Sequence, residues 1–233
     1  MRLNKFLSER GFYSRRAVDK LIKDNRITIN GKKVRLGQKI SIEDEIKVDG
    51  QIINKAKKKK KLIYLMFNKP IGIECTTDTN TKNNIIDFIG YPKRIFPIGR
   101  LDKDSEGLIL LTNDGDLCYK LSHPKFQIKK KYIVSTDQKL TNSQVKQISK
   151  GLRIDNKIKY TATINFLSSE KNKFFWDVIL TEGKNREIKK IFNFFGIKVL
   201  SLHRYKFGNL MLGALKEGKY RKIKKSELKS FEK

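Results

Sequence analysis

Metal centres and disulfide frameworks need residues that this sequence has little of. Its 233 residues include two cysteines, Cys75 and Cys118, and two histidines, His123 and His203, with no CxxC or HxxxH spacing among them. That spacing argues against a zinc site, and two thiols cannot make a disulfide scaffold. Neither a metal nor a disulfide framework is expected. Long apolar runs are also missing: Gly107 to Leu111 and Phe192 to Gly196 are among the longest, far short of the roughly 20 residues that cross a bilayer. Met1 to Arg10 lacks the apolar stretch of a secretion signal. The expectation is a cytoplasmic protein with no membrane partner. Acidic residues are scarce too, with 24 Asp plus Glu against 53 Lys plus Arg and a formal net charge of +29. Such an excess points to a polyanion, with nucleic acid ahead of an anionic membrane surface.

What is present argues for a folded chain. Fourteen Phe and eight Tyr are spread through periodic segments, which a disordered basic tail would not carry. The length suits one catalytic domain with a small appendage. The charge divides into 13 basic and 7 acidic residues in 1–50, 6 basic and no acidic in 51–61, and 34 basic and 17 acidic in 62–233. The middle block, with its run Lys57 to Lys61, reads as an extended basic linker.

In residues 1–50, Leu3, Phe6 and Leu7 fall on one helical face. Val18, Leu21 and Ile22 repeat the pattern behind Ser14, a good N-cap, so two short helices joined at Gly11 are expected. Strands around 27–29, 32–34 and 45–48 follow, with Asn30-Gly31 and Asp49-Gly50 turns. Arg2, Lys5, Arg15, Arg16 and Lys20 lie on the polar helix faces and would make a phosphate-binding surface. These segments, Arg2 to Leu7 through Ser14 to Ala17 and then Ile27 to Lys32, resemble the RNA-binding module named after ribosomal small-subunit protein four. The resemblance implies binding to structured RNA and names no reaction.

Beyond the linker, strands are predicted over 62–67, 107–112, 132–135, 162–167 and 174–180, the last two joined by a loop around Ser168-Ser169. A helix runs from the capping box at Thr141-Asn142-Ser143-Gln144 toward Gly151. Another carries Ile188, Ile191, Phe192 and Phe195 on one face and stops at Gly196. Asn113-Asp114-Gly115 reads as a turn. The expected fold class is α+β: a small ααβ module joined to a mixed, largely antiparallel-sheet domain.

The run Gly99 to Gly115 sets Asp102, Asp104, Glu106 and Asp114 between hydrophobic segments. Its spacing mimics the start of a calcium loop, but Asn113 stands where that loop needs a bidentate Glu. A glycosidase carboxylate pair and an acidic surface loop are the other readings. The motifs Gly99-Arg100-Leu101-Asp102, Ser105-x-Gly107-Leu108 and Leu111 to Gly115 resemble the active-site signature of the RsuA/RluB/RluE/RluF pseudouridine synthases. Asn68-Lys69-Pro70-x-Gly72 matches the motif before it in those enzymes, and Lys130-Lys131-Tyr132 and Gly183 to Lys190 match the two after it.

That resemblance implies isomerisation of uridine to pseudouridine in ribosomal RNA or a pre-ribosomal particle, by a monomer without a cofactor. Features of the Phe96 to Gly99 and Asp102 to Ser105 runs point to the large-subunit branch. It makes Asp102 the catalytic carboxylate, acting as nucleophile at the anomeric carbon or as base at the ribose 2′ position. Lys189 would be the cation beside Asp102, Tyr132 the aromatic that stacks on the flipped uracil, and Arg100 the side chain that enters the vacated RNA stack. Asn68 and Lys69 would shape the pocket floor, and Arg186 and Lys190 would bind RNA. Glu187 stands where Gln is more usual, and a carboxylate there could weaken the Lys189–Asp102 pairing. The alternative is a non-catalytic RNA-binding or ribosome-assembly factor on the same fold.

Overall fold

A computed structural model describes residues 1–53, 61–154, 158–229 and 231. The chain forms two compact units, Met1–Leu62 and Ile63–Lys233. In the first, α1 (Leu3–Glu9) and α2 (Arg15–Lys23) are followed by β1 (Ile27–Ile29), β2 (Lys32–Lys33), β3 (Ile46–Val48) and β4 (Gln51–Ile52). The Ser14 hydroxyl accepts the Ala17 N–H at 3.0 Å and caps α2. Leu3, Phe6, Leu7, Val18, Leu21 and Ile22 pack on Ile27, Ile29, Ile46 and Val48 to make the unit's core. The strands run in the order β2-β1-β3-β4. Gln51 and Ile52 therefore belong to this sheet, and most of the lysine run lies outside the described residues.

The second unit contains β5 (Tyr64–Lys69), α3 (Ile85–Ile89), β6 (Phe96–Ile98), β7 (Glu106–Thr112), α4 (Gly115–Ser122) and β8 (Lys130–Thr136). Then come α5 (Asn142–Lys150), β9 (Leu152–Arg153), β10 (Lys159–Tyr160), β11 (Thr163–Glu170) and β12 (Lys173–Leu180). The chain finishes with α6 (Glu187–Asn193), β13 (Val199–Phe207), β14 (Leu210–Met211), β15 (Tyr220–Lys222) and α7 (Lys225–Lys229). Nine strands form one sheet in the order β11-β12-β8-β13-β7-β5-β15, with β14 beside β13 and β6 beside β7. Among the named strands, β7 and β13 are the parallel pair; the other ladders are antiparallel.

The central strands explain their own composition. Ile109 and Leu111 of β7 and Phe67 of β5 point into one core with Trp176, Val178 and Ile191, while Leu108, Leu110 and Met66 point into a second with Phe207 and Leu210. Burial on both faces is why β7 reads as an unbroken apolar run instead of an alternation.

Three local expectations change. Asp114 is an N-cap, accepting the N–H groups of Asp116 and Leu117 at 3.1 Å each, so Asn113-Asp114-Gly115 opens α4 and does not return the chain as a turn. Ser168 and Ser169 stay in the β11–β12 ladder after a bulge, and the reversal falls at Lys171-Asn172, where both residues have positive φ, 47° and 59°. The predicted strand 62–67 becomes 64–69, because Asn68 and Lys69 continue the pairing with Leu108 and Gly107.

Candidate active site

Six strand residues meet across β8, β12 and β13. Arg204 lies opposite Tyr132, Phe207 opposite Lys130, and on the other side Val178 opposite Tyr132 and Leu180 opposite Lys130. The loop Gly99–Asp102 and the start of α6 complete a cavity of about 210 Å³, lined by Arg100, Asp102, Ser105, Lys130, Tyr132, Glu182, Lys184, Arg186, Glu187, Lys189 and Arg204 together with other, mostly apolar, residues. Six cations against three carboxylates in that group suit a polyanionic ligand.

Asp102 is half-buried, and its carbonyl accepts the Ser105 N–H at 3.1 Å, which closes a tight turn. Lys103 O accepts the Gly72 N–H at 2.8 Å, tying this turn to the segment after Asn68-Lys69-Pro70. Arg100 is exposed and Tyr132 is buried at the cavity wall.

Lys189 shares the cavity with Asp102 but is ion-paired with Asp104. Its Nζ lies 2.5 Å from Asp104 Oδ2, and Arg186 Nη2 lies 3.9 Å from the same oxygen. The Asp102–Ser105 turn presents Asp104 to α6, and a lysine carries only one compact charge to give. Hydrogen bonding to Lys189 holds the Asp104 carboxyl below the usual range. Glu187 is not beside Lys189 either: it is buried, its Oε2 accepts the Lys184 N–H at 2.9 Å, and burial pushes its carboxyl up. Lys184 also pairs with Glu182. Lys190 donates to the Tyr160 hydroxyl at 3.2 Å.

Asn68 and Lys69 stand behind the cavity and not on its floor. Asn68 donates to Leu215 O at 2.8 Å, and the fully buried Lys69 donates to Pro70 O and Ile73 O at 2.8 Å each. Burial pushes the Lys69 ammonium down, opposed by Cys75 and then by Asp104, Asp102 and Glu106. Lys69 is thus the buried positive charge that feels the carboxylates of the loop. In the first unit Arg2, Arg15, Arg16 and Lys20 are exposed, and Lys5 pairs with Glu9 at 3.3 Å.

Sequence reasoning missed Arg204. It is 1% exposed, with Nε donating to Leu108 O at 2.6 Å and Nη1 lying 3.4 Å from the Tyr132 hydroxyl and 3.5 Å from Arg100 O. The signal was its place two residues after Leu202, on the inward phase of a strand, where a charge is costly unless bonded. Its Nη2 and the Ser105 Oγ are buried without a hydrogen-bond partner among the described residues. Both belong to cavity walls.

A cavity on a mixed sheet that brings together Asp102, Tyr132 and an excess of cations suits an enzyme acting on a polyanion. The chain belongs to the RNA pseudouridylate synthase family, whose sequence pattern matches residues 63–225, while residues 1–46 match the S4 domain. It is 36% identical over 228 residues to the dual-specificity RNA pseudouridine synthase RluF of Escherichia coli K12, which covers 98% of this chain and 77% of that one. It is 34% identical over 233 residues to ribosomal large subunit pseudouridine synthase B of Bacillus subtilis 168, with 98% and 94% covered. A solved pseudouridylate synthase structure matches with a TM-score of 0.72 and 30% identity over 99% of both chains. The family makes the chain an enzyme, with an RNA-binding module on an α+β synthase fold.

Proposed function

We propose that the enzyme isomerises uridine to pseudouridine at a defined position of large-subunit ribosomal RNA. The observation that carries this reading is the meeting of Asp102 and Tyr132 in one cavity with a cationic rim. The name of the Bacillus subtilis relative supports large-subunit ribosomal RNA as the substrate, and that of the Escherichia coli relative supports RNA. The target base leaves its stack at a cost of a few kcal/mol, recovered by contacts in the pocket. Tyr132 stacks on the uracil and Arg100, exposed at the rim, fills the gap left in the RNA.

Asp102 acts at the ribose, at C1′ or at the 2′ hydrogen, and the isomerisation needs no net oxidation, reduction or cofactor. Lys69 offsets the desolvation of the loop carboxylates from below, and Lys189 fixes the turn through Asp104. Arg186 and Lys190 meet the RNA backbone. The exposed Arg2, Arg15, Arg16 and Lys20, with Lys5, bind structured RNA, and the basic stretch of sequence after Ile52 joins that module to the synthase domain. The enzyme works in the cytoplasm as a monomer.

The test is to incubate purified protein with unmodified ribosomal RNA and map pseudouridine by carbodiimide-dependent primer-extension stops. Wild type is expected to modify a defined uridine in the large-subunit RNA, and Asp102→Asn to lose at least about a thousandfold in rate. Wild type without product, or an Asp102→Asn variant that keeps its rate, overturns the assignment.

A further inference from the structure

A further cation, Lys130, lines the cavity outside the Lys189–Asp104 pairing. Lys130 opens β8 between Leu180 of β12 and Phe207 of β13, and all three residues are cavity walls. Its ammonium donates to Ile128 O at 3.1 Å and to Glu182 O at 3.4 Å, and lies 5.6 Å from the centre of the Phe207 ring. An ammonium carries three donors, so one remains after those two neutral acceptors. Among the described residues no carboxylate stands in ion-pair contact with it. The charged groups facing it are Arg204 on β13, Glu182 after β12 and Glu187 at the start of α6. Burial pushes the Lys130 amine down to about 8; Arg204 pushes the same way, and Glu187 and Glu182 push back.

The reaction requires a charge in this place. When the bond between C1′ and N1 breaks, its electron pair stays on the base, which becomes an anion with charge spread over N1 and the two ring carbonyl oxygens. Both roles open to Asp102 produce that anion: attack at C1′ expels it, and so does elimination after loss of the 2′ hydrogen. The ring turns and C5 bonds to C1′, either as the bond from Asp102 to C1′ breaks or as the 2′ hydrogen taken by Asp102 returns to C2′; the C5 proton leaves and N1 ends protonated, so atoms and electrons balance without a co-reactant. A fixed donor in a water-poor pocket is the strongest means of holding such a charge.

We propose that Lys130 is a second catalytic residue, whose remaining N–H donor and positive charge meet a carbonyl oxygen of the target uracil and stabilise the detached uracil anion. This rests on the pseudouridine synthase reading of the site. Arg204 is committed differently: its Nε and Nη1 face Leu108 O, Arg100 O and Tyr132, and its Nη2 is buried without a hydrogen-bond partner among the described residues. Lys189 and Arg186 are engaged with Asp104.

The active form of Lys130 is the protonated one, present below its folded pKa and lost as pH rises through it. The test measures single-turnover pseudouridine formation by full-length protein on unmodified large-subunit rRNA transcript from about pH 6 to about pH 10. Wild-type rate constants at subsaturating enzyme are expected to fall on the alkaline side near the Lys130 value. Lys130→Arg, which keeps its charge, is expected to move that fall upward. Lys130→Met is expected to lose at least about a hundredfold at neutral pH and to lack the alkaline fall, while binding RNA and melting as a folded protein. A purely structural tether would leave the pH profile of the residual activity unchanged.

An unchanged alkaline limb in Lys130→Arg, or a Lys130→Met rate within about threefold of wild type, overturns the proposal. Should the methionine variant not fold, the arginine profile alone decides. A wild type without product overturns the synthase reading and this proposal with it. An active wild type with an indifferent Lys130 overturns only the latter.

Discussion

At Gly107 the chain has no room for a side chain. Its φ is +103°, and a Cβ there would lie 2.4 Å from Arg204 O and 2.8 Å from Arg204 N. The reason is the parallel pairing of Gly107 with Arg204, which brings β13 close enough for the Arg204 guanidinium to reach Leu108 O and the Tyr132 hydroxyl. Gly107→Ala is therefore expected to destabilise the synthase domain by about 3 kcal/mol through strain and overlap. Urea unfolding would read this as a lower midpoint at an unchanged slope. At this scale the sequence was partly legible. The run around Asp102 and the Lys130-Lys131-Tyr132 motif marked the cavity, but the pairing of Lys189 with Asp104 was not readable, since two carboxylates two residues apart differ only in where the turn points them. Arg204 lay outside every motif because its importance comes from a cross-strand neighbour about 70 positions earlier.

Among the elements, those with local signals were legible and those defined by distant partners were not. Helix α5 was found from its capping box, and the structure has both halves: Gln144 N–H to Thr141 Oγ1 at 3.2 Å and Thr141 N–H to Gln144 Oε1 at 2.8 Å. Thr141→Ala is expected to cost about 1 kcal/mol and to leave catalysis untouched, because no α5 residue lines the cavity; thermal melts and single-turnover rates would check the two halves of that statement. By contrast α3, with five residues, and α4, which begins at a glycine, carry too little periodicity to be seen. Strand β13 alternates Leu202, His203, Arg204 and Tyr205, then slips register at a bulge before Lys206, so its pattern of burial breaks in the middle. Its central position in the sheet is a fact of topology that no local pattern encodes.

For the whole molecule the excess of 29 positive charges sets the terms of binding. A ligand gripped by six Lys or Arg contacts to phosphates would lose about a thousandfold in affinity between roughly 50 and 200 mM salt. Equilibrium binding of large-subunit rRNA fragments across that range is expected to give a log–log slope near −5 for about six contacts, and a slope near zero would mean that the charge is not what holds the RNA. The division into an RNA-binding module and a synthase domain was legible from charge blocks and motifs, since each unit brings its own core.

The central position of β13 also governs how the enzyme is born. Before residues 199–207 leave the ribosome, β5, β6 and β7 can pair with one another, as can β8, β11 and β12, but the strand that joins these two groups does not yet exist. Asp102 belongs to the first half-sheet and Tyr132 to the second, so a nascent chain holds the two parts of the cavity without a seam between them. Such long-range closure is slow compared with local pairing, and it waits for β13 to be made. The catalytic cavity is thus assembled only after β13 has been made, and a product truncated before Val199 would carry every motif of the reaction but not the joining strand and would be inert.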